Sequence, residues 1–537
     1  MRRYLRIAVP VAAAAAVLGW LPFLGRATAS DEGGYMIVGS QWGHGSSLYG
    51  SYWVDRPPLL ILLHGLAAAL GGTVALRVIG ILGVVVAVVL AGAISRAATL
   101  GLARPAHRIA VLAPVVIAAT FLTTPDFGTM TVDGELLSVP LLLAGFLACI
   151  RACSATEDRT ALRWAAAAGV AATSAAMVKQ NAVDVFLLAL VVLLTRALTG
   201  ERARALRIGA VFLGAAVLTL TAFLLLSAAR GTSPDGLWNA LVTFRFDAAR
   251  SIYDTSSAAS SARLDRLLRS VSASLCPLLL LVLGLQVARA RRTRHGGTGV
   301  PDLRWPALVV LAWEVVVIAG GGGFWLHYLI VLVPGMVLLA AAAAQRPLAL
   351  RAVLGGALVA AVLSAGAATV GAAQAVQGPP SDALVVRYLK AHDQPGDTAV
   401  VAFGRPNILW DTHLRSPYDE LWALPVLVRD HSLLDFTRVL DSPQAPTWVV
   451  VDGTSLSSEG VDGATAESVL DARYHPVAHE GRYVVWHHDS DRIHVRRSPE
   501  RFRPGLLRVR TSPDGAPTPS PHAGAPFAAL LFETRRS

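Results

Sequence analysis

Charge is what this chain has least of. Only 15% of its 537 residues are charged, while 54% are hydrophobic, and the mean hydropathy is +0.53. Soluble domains carry about 25% charged residues, so a water-soluble chain is excluded. Lysine is almost missing: Lys179 and Lys390 are the only two, and arginine makes up the rest of the 47 basic residues. That bias reads as the coding habit of a GC-rich bacterial genome. Cysteine is scarce too. Cys149 and Cys276 lie in apolar windows and Cys153 follows one, which excludes a disulfide framework and a cysteine metal site. No His/Cys spacing suits zinc. Gly320 to Gly323 has no strand before it and no Lys-Ser/Thr after it, which excludes a nucleotide phosphate loop. His487 and His488 are adjacent, so they point apart and make no metal pair.

What is abundant is apolar sequence in runs long enough to cross a bilayer. They fall near 7–24, 74–95, 108–124, 135–150, 162–178, 182–198, 206–228, 270–288, 306–322, 327–343 and 350–372. The expected fold is therefore a polytopic all-α membrane protein with about eleven transmembrane helices. The first run follows Arg2, Arg3 and Arg6 and is read as an uncleaved span; a signal peptide ending near ATAS is the alternative. With the N-terminus in the cytoplasm, Arg96, Arg104, Arg108, Arg151, Arg159, Arg163, Arg202, Arg204, Arg289, Arg346 and Arg351 fall in inside loops. The net charge of +11 then marks topology beside anionic lipid and asks for no nucleic acid. The loop 229–269 fits less well. It places Arg230, Arg245, Arg250, Arg263, Arg266 and Arg269 outside, where arginines also suit a phosphate ligand.

Two apolar stretches in outside loops, 57–72 and 236–254, read as helices lying at the membrane interface. Pro57 and Pro58 suit the start of the first. From 376 to 500 the pattern changes to helix, turn and strand, with TWVVVDG and RYVVWHHD as further strands. This predicts a small extracytoplasmic α/β domain after a transmembrane module over 1–375. The Pro/Gly/Ser-rich stretch 501–537 reads as a disordered tail.

Charges beside hydrocarbon are costly, roughly 2.5–3.5 kcal/mol at mid-membrane, so those kept at span ends carry information. Asp31 and Glu32 open the first outside loop. A carboxylate there can take a proton from an attacking hydroxyl; a helix cap is the other reading. Asp55-Arg56-Pro57-Pro58 offers a guanidinium fork for phosphate, or a local ion pair at a turn. Lys179 sits at an outer span end beside Gln180, Asn181 and Asp184, where it can bind phosphate or simply snorkel. Asp133 and Glu135 can orient an acceptor, share a divalent cation, or sit solvated at a helix start. His327 can donate to phosphate, and Tyr328 suits an aromatic belt. Glu314 falls inside a span, as a neutral carboxyl or the partner of a nearby donor.

These residues in this order resemble the lipid-linked-sugar glycosyltransferases of the GT-C fold. The carriers are Asp31-Glu32, Tyr35, Asp55-Arg56-Pro57-Pro58-Leu59, Asp133-Gly134-Glu135-Leu136, Lys179-Gln180 and His327-Tyr328 with Pro334. The likeness is to the aminoarabinose-transferase and protein O-mannosyltransferase-related group, over about 1–375 and more loosely beyond. It implies a polyprenyl-phosphate sugar donor, an acceptor (envelope glycan, lipid or protein) bound from outside, and inversion at the sugar. By the same likeness Asp31 is the base, and Arg56 and Lys179 bind the donor phosphate with His327 and Tyr328 nearby. Asp133, Glu135 and Asp55 fill acidic positions beside the acceptor. Arg56 stands where many relatives have lysine, which keeps the charge and changes its geometry. Two other classes remain: a transporter or flippase of a lipid-linked sugar, and a non-catalytic envelope-assembly protein.

Overall fold

The computed structural model describes residues 2–100, 102, 107–254, 258–289, 299–375, 380–457 and 461–489. The tail expected over 501–537 lies outside the described residues. Apolar runs become helices because backbone polar groups must find partners within the segment when no water is at hand. In chain order these are α1 (Arg2–Trp20), α2 (Ser30–Ser40), α3 (Pro58–Leu70), α4 (Thr73–Ala98), α5 (Arg108–Phe121), α6 (Gly134–Ser154) and α7 (Asp158–Val178). There follow α8 (Asp184–Arg196), α9 (Arg202–Ala229), α10 (Pro234–Trp238), α11 (Phe244–Asp254), α12 (Ala258–Ala273), α13 (Cys276–Arg289), α14 (Arg304–Gly320), α15 (Leu332–Ala344) and α16 (Arg351–Gln374).

A helix lies over each of the eleven apolar windows. Among the described residues, length and apolarity together qualify seven stretches to cross a membrane, or eight if the bent α12–α13 pair is one span. The smaller number has local causes. α5 has 14 residues, fewer than the ~20 a bilayer core asks of a straight helix. Asp184–Ala229 counts as one run of 46 residues, although the backbone leaves helical geometry at Thr199 and Gly200. There the chain turns and α8 and α9 become separate packed helices.

Every residue of α15 is buried. A helix apolar on all sides belongs in the middle of a bundle, and α15 packs against α4, α5, α6, α13 and α14. Its alanines allow close approach, the usual device where packing rather than water exclusion drives association. Just past its end, Gln345 is buried and satisfied. It donates to the carbonyls of Ala98 (3.2 Å) and Pro301 (2.9 Å) and accepts from Leu303 N–H at 3.0 Å.

The C-terminal region is a four-stranded sheet with helices. After α17 (Ser381–His392) come β1 (Ala399–Ala402), α18 (Pro406–Thr412), α19 (Ala423–Arg429) and α20 (Leu434–Leu440). The chain ends its described part with β2 (Trp448–Asp452), α21 (Ala464–Arg473), β3 (Tyr474–Glu480) and β4 (Tyr483–His488). Strand order is β1-β2-β4-β3, with β1 and β2 parallel and the other pairs antiparallel. The strand that the sequence pattern does not announce is β3. It is a sheet edge, mostly half-exposed, with Pro476 beside an irregularity in its pairing, and edges carry polar residues and proline rather than apolar runs.

One buried ion pair sets the geometry of the loops around α2. Arg77, near the start of α4, is 1% exposed and Glu32 of α2 is 0% exposed. Arg77 Nη2 lies 2.9 Å from Glu32 Oε2. The guanidinium also donates to the carbonyls of Phe23, Leu24, Arg26 and Ala27. Glu32 in turn accepts the Ala29 and Val132 amides, each at 3.0 Å. The α1–α2 turn, the start of α4 and the loop before α6 are thereby held by one charge pair. Removing one half of such a pair costs roughly 3–5 kcal/mol, because the other stays buried and uncompensated. Arg77→Ala is expected to lower the unfolding temperature in detergent sharply, and Glu32→Gln in the same chain to recover part of the loss; wild-type unfolding of Arg77→Ala would refute the assignment.

Candidate active site around the first loop

α2 begins where the α1–α2 turn is pinned. Adjacent helical residues point about 100° apart, so Asp31 and Glu32 part company. Glu32 faces inward and takes the capping role at the helix start through the Ala29 amide. Asp31 faces the sheet domain, where it accepts the indole N–H of Trp422 at 2.9 Å.

Two glycines make that meeting possible. A Cβ on Gly33 would lie 2.6 Å from Cα of Asn407, and one on Gly34 would overlap the Trp422 indole. The glycine pair is thus the surface on which the sheet domain sits. Further contacts tie the same faces: Thr28 Oγ1 donates to Asp411 Oδ1 at 2.8 Å, and Ser30 Oγ to the Gly404 carbonyl at 2.8 Å. Trp53 N–H donates to the Asp419 carbonyl at 3.1 Å.

One turn after Asp31, Tyr35 packs its ring against Trp422 with centroids 5.2 Å apart and against His64 of α3 at 5.1 Å. Its hydroxyl accepts Arg56 Nε at 2.8 Å. Arg56 also meets Asp55 Oδ1 through Nη1 at 2.7 Å, and its own carbonyl accepts the Tyr49 hydroxyl at 2.6 Å. Asp55 is shared, since Arg245 Nη2 lies 2.5 Å from its Oδ2. The Gln180 amide, oriented with its oxygen toward Arg245, accepts Nε and Nη2 at 2.8 and 3.0 Å. Burial opposes the charge on Asp55, but Arg245 first, then Arg56 and Lys179, outweigh it and hold the carboxyl below its usual range. Tyr35 is pushed the other way: burial raises its phenol well above the ordinary value, with the charges of Arg56, Asp31, Asp55 and Glu135 all within reach.

Beside Gln180 the chain places Lys179 at the end of α7. Its Nζ lies 2.7 Å from Glu135 Oε1 and 5.7 Å from the centre of the Tyr328 ring. Asp133 caps α6 by accepting the Leu136 amide at 3.0 Å. His327 completes the group, with Nδ1 3.8 Å from Asp133 Oδ2 and Nε2 4.0 Å from Glu135 Oε1. Two polar groups therefore lie side by side: Tyr35, Arg56, Asp55, Arg245 and Gln180, reached from Asp31 through the Trp422 ring, and, starting at the residue before Gln180, Lys179 with Glu135 and His327.

Asp133, Glu135 and His327 present ligand atoms within 4.8 Å of one another. The second oxygen of Asp133 is buried without a hydrogen-bond partner, and two carboxylates with an imidazole suit a divalent cation. The donor set fits in kind, and the Lys179 ammonium, 2.7 Å from Glu135 Oε1, competes for the same carboxylate.

Of the residues expected at the site, Asp31, Asp55, Arg56, Asp133, Glu135, Lys179, His327 and Tyr328 lie in this constellation, whereas Glu32, expected beside Asp31 as a catalytic carboxylate, turns away from it and is committed to Arg77 and two backbone amides. Glu314 also lies outside it. It is buried in α14, where Oε1 accepts the Gly335 amide at 2.8 Å, the backbone donor that a carboxylate inside a span calls for. Sequence reading missed three participants. Arg77 left a signal as the lone charge in the window TVALRVIG. Arg245 was one of six arginines in its loop, with nothing to single it out. Trp422 lies 391 residues from Asp31 and left no signal.

No protein-family model matches the chain, and no curated protein matches it in sequence. Among solved structures it resembles ArnT from Cupriavidus metallidurans bound to undecaprenyl phosphate, with a TM-score of 0.54 and 14% identity over 89% of this chain and 97% of that one. It also matches, at TM-scores of 0.47 and 0.45, the archaeal oligosaccharyltransferase AglB from Archaeoglobus fulgidus in complex with an inhibitory peptide and a dolichol-phosphate, and ArnT in the apo state. The AglB match is 12% identical over 84% of this chain and 69% of that one. The apo ArnT match is 13% identical over 89% and 97%. At these identities the likeness concerns the fold, and the fold is the GT-C type that the first-loop motifs implied.

The depressed Asp55 carboxyl sets a pH expectation. A carboxylate favoured in the folded state contributes stability that is present above its unfolded pKa of about 4 and lost as pH falls through the lower folded value. The thermal stability of the purified protein is expected to fall below about pH 4. Asp55→Asn should lower stability at neutral pH and flatten that acid dependence; an unchanged acid limb in Asp55→Asn would refute the charge-sharing role.

Proposed function

We propose that the protein transfers a sugar from a polyprenyl-phosphate donor to an acceptor hydroxyl on the extracytoplasmic side of the membrane. The observation that carries this reading is that this fold gathers one carboxylate, Asp31, and three cations, Arg56, Arg245 and Lys179, around the first loop, with Asp31 linked to Arg56 through Trp422 and Tyr35. The fold is shared with ArnT, whose structure holds undecaprenyl phosphate.

In the proposed step Asp31 takes the proton of the acceptor hydroxyl as its oxygen attacks the anomeric carbon. The bond from that carbon to the phosphate oxygen breaks, the configuration inverts, and the lipid phosphate leaves with the extra negative charge. Preorganised cations aimed at that charge lower the barrier. Arg56 and Arg245, now held on Asp55, are the guanidiniums that exchange this carboxylate for phosphate. Lys179 does the same from Glu135. Glu32 acts on α2 and not on substrate, since its oxygens are committed to Arg77 and two amides. Asp133, Glu135 and His327 would hold a divalent cation, which there would polarise a phosphate oxygen. An open cleft of about 510 Å³ beside α2 and α3, lined by Ser40, Leu62, Leu66, Ala69, Arg230 and Trp410, has a mixed polar and apolar wall that could take the start of a lipid chain.

In reconstituted protein given radiolabelled polyprenyl-phosphate sugars, Asp31→Asn is expected to lower transfer at least ~100-fold while undecaprenyl phosphate binding persists. Arg56→Ala, Arg245→Ala and Lys179→Ala should each weaken that binding about ten-fold. Near-normal transfer by Asp31→Asn would reject the base. Movement of the lipid-linked sugar across the bilayer without covalent transfer would favour a flippase.

A further inference from the structure

The transferase reading uses Asp31 and leaves open what aims it. The carboxylate stands in the first turn of α2 with a side chain free to turn about two bonds. Among the described residues, the one side-chain donor that meets it is the Trp422 indole N–H, at 2.9 Å from Oδ1. We propose that Trp422 of the sheet domain is a positioning residue for the transfer, fixing Asp31 by its indole N–H and Tyr35 by its ring. This inference rests on the transferase reading of the same site.

Three observations support it. First, the contact is built into the backbone. Gly34 lies directly under the indole, and any side chain there would overlap it. Second, the same ring lies against Tyr35, whose hydroxyl holds Arg56. One side chain therefore touches both the base and the residue that orients a phosphate-binding guanidinium. Third, Trp422 is itself fixed. It stands immediately before α19, and the neighbouring Gly404 carbonyl accepts Ser30 Oγ, the residue beside Asp31. A tryptophan serving only to pack could leave its N–H to a carbonyl or to water. Here the N–H is spent on the carboxylate, holding one oxygen and leaving the other to take the acceptor's proton. Misplacement of a reacting group by about 1 Å can cost of the order of 100-fold in rate, so a modest restraint has a measurable effect.

Trp422→Phe removes the N–H and keeps an aromatic ring against Tyr35; Trp422→Ala removes both. The test follows two readouts in the full-length protein. The first, which needs no substrate, is labelling of Asp31 by a water-soluble carbodiimide, followed by peptide mass analysis. The second is steady-state transfer from polyprenyl-phosphate sugar. Trp422→Phe is expected to unfold at the wild-type temperature, to label several-fold faster at Asp31, and to lose about ten-fold in kcat with donor KM unchanged. In an Asp31→Asn background it is expected to cost nothing further, since its effect passes through the missing carboxylate. Trp422→Ala is expected to raise donor KM as well, because Tyr35 and Arg56 lose their support. Unchanged labelling, an unchanged kcat, or a further loss on top of Asp31→Asn would each overturn the proposal while leaving Asp31 as the base. A wild-type protein that transfers no sugar would overturn the transferase reading instead. Labelling then decides the contact alone: faster labelling in Trp422→Phe upholds it, and no change refutes it.

Discussion

A guanidinium buried next to a membrane has to find all its partners inside the protein, and Arg77 does so by gathering loops that are far apart in the chain. It takes four carbonyls from the α1–α2 turn and both oxygens of Glu32. Glu32 adds the Val132 amide from the loop before α6. Desolvating two charges is expensive, so a pair of this kind adds little net stability over an apolar substitute. What it does instead is fix direction. With Glu32 held inward, the helical step of about 100° turns Asp31 toward the sheet domain, and the next turn of α2 presents Tyr35 to Arg56.

The remaining charges form a set that is nearly self-neutralising. Arg56 and Arg245 share Asp55, and Lys179 leans on Glu135. Cations left bare in a low-dielectric cavity would be costly, whereas cations parked on carboxylates are cheap to keep and easy to transfer to another anion. A phosphate that enters competes with Asp55 for two guanidiniums at once, and the planar fork suits either oxyanion. The Asp55-Arg56 pair, readable from sequence as a local salt bridge at a turn, would under the proposed function also be the resting state of the phosphate site. The two readings describe one arrangement.

Much of this was legible from sequence, for physical reasons that also explain the gaps. Helices were legible because hydrocarbon leaves a long apolar run no other choice. Asp31, Arg56, Lys179, Asp133 and His327 were legible as candidates because a polar group at the end of an apolar run needs a reason. The division of labour between Asp31 and Glu32 was not, since adjacency in sequence hides opposite directions on a helix. Arg77 was absorbed into the apolar window around it. Arg245 was hidden among other loop arginines. β3 was lost because an edge strand shows no alternating apolar pattern. Trp422 shows the limit most clearly: its contact is set by how two folded units meet, and no local pattern encodes that.

That last contact bears on where the functional unit ends. Composition draws a boundary near residue 375, and the sheet domain has its own apolar core around Val400, Phe403, Phe436 and Val449. Yet the surface that meets the helical bundle is the one that carries Asn407, Trp410 and Trp422, and it lands on Gly33, Gly34 and the carboxylate of Asp31. The first loop pays for this docking with two consecutive glycines in a helix, each about 1 kcal/mol worse than alanine in an exposed helix. A sheet domain that merely hung from the last helix would not require that concession. The glycine pair in the first loop and the indole near the far end of the chain thus answer one requirement, which is to seat the second unit directly over the candidate base.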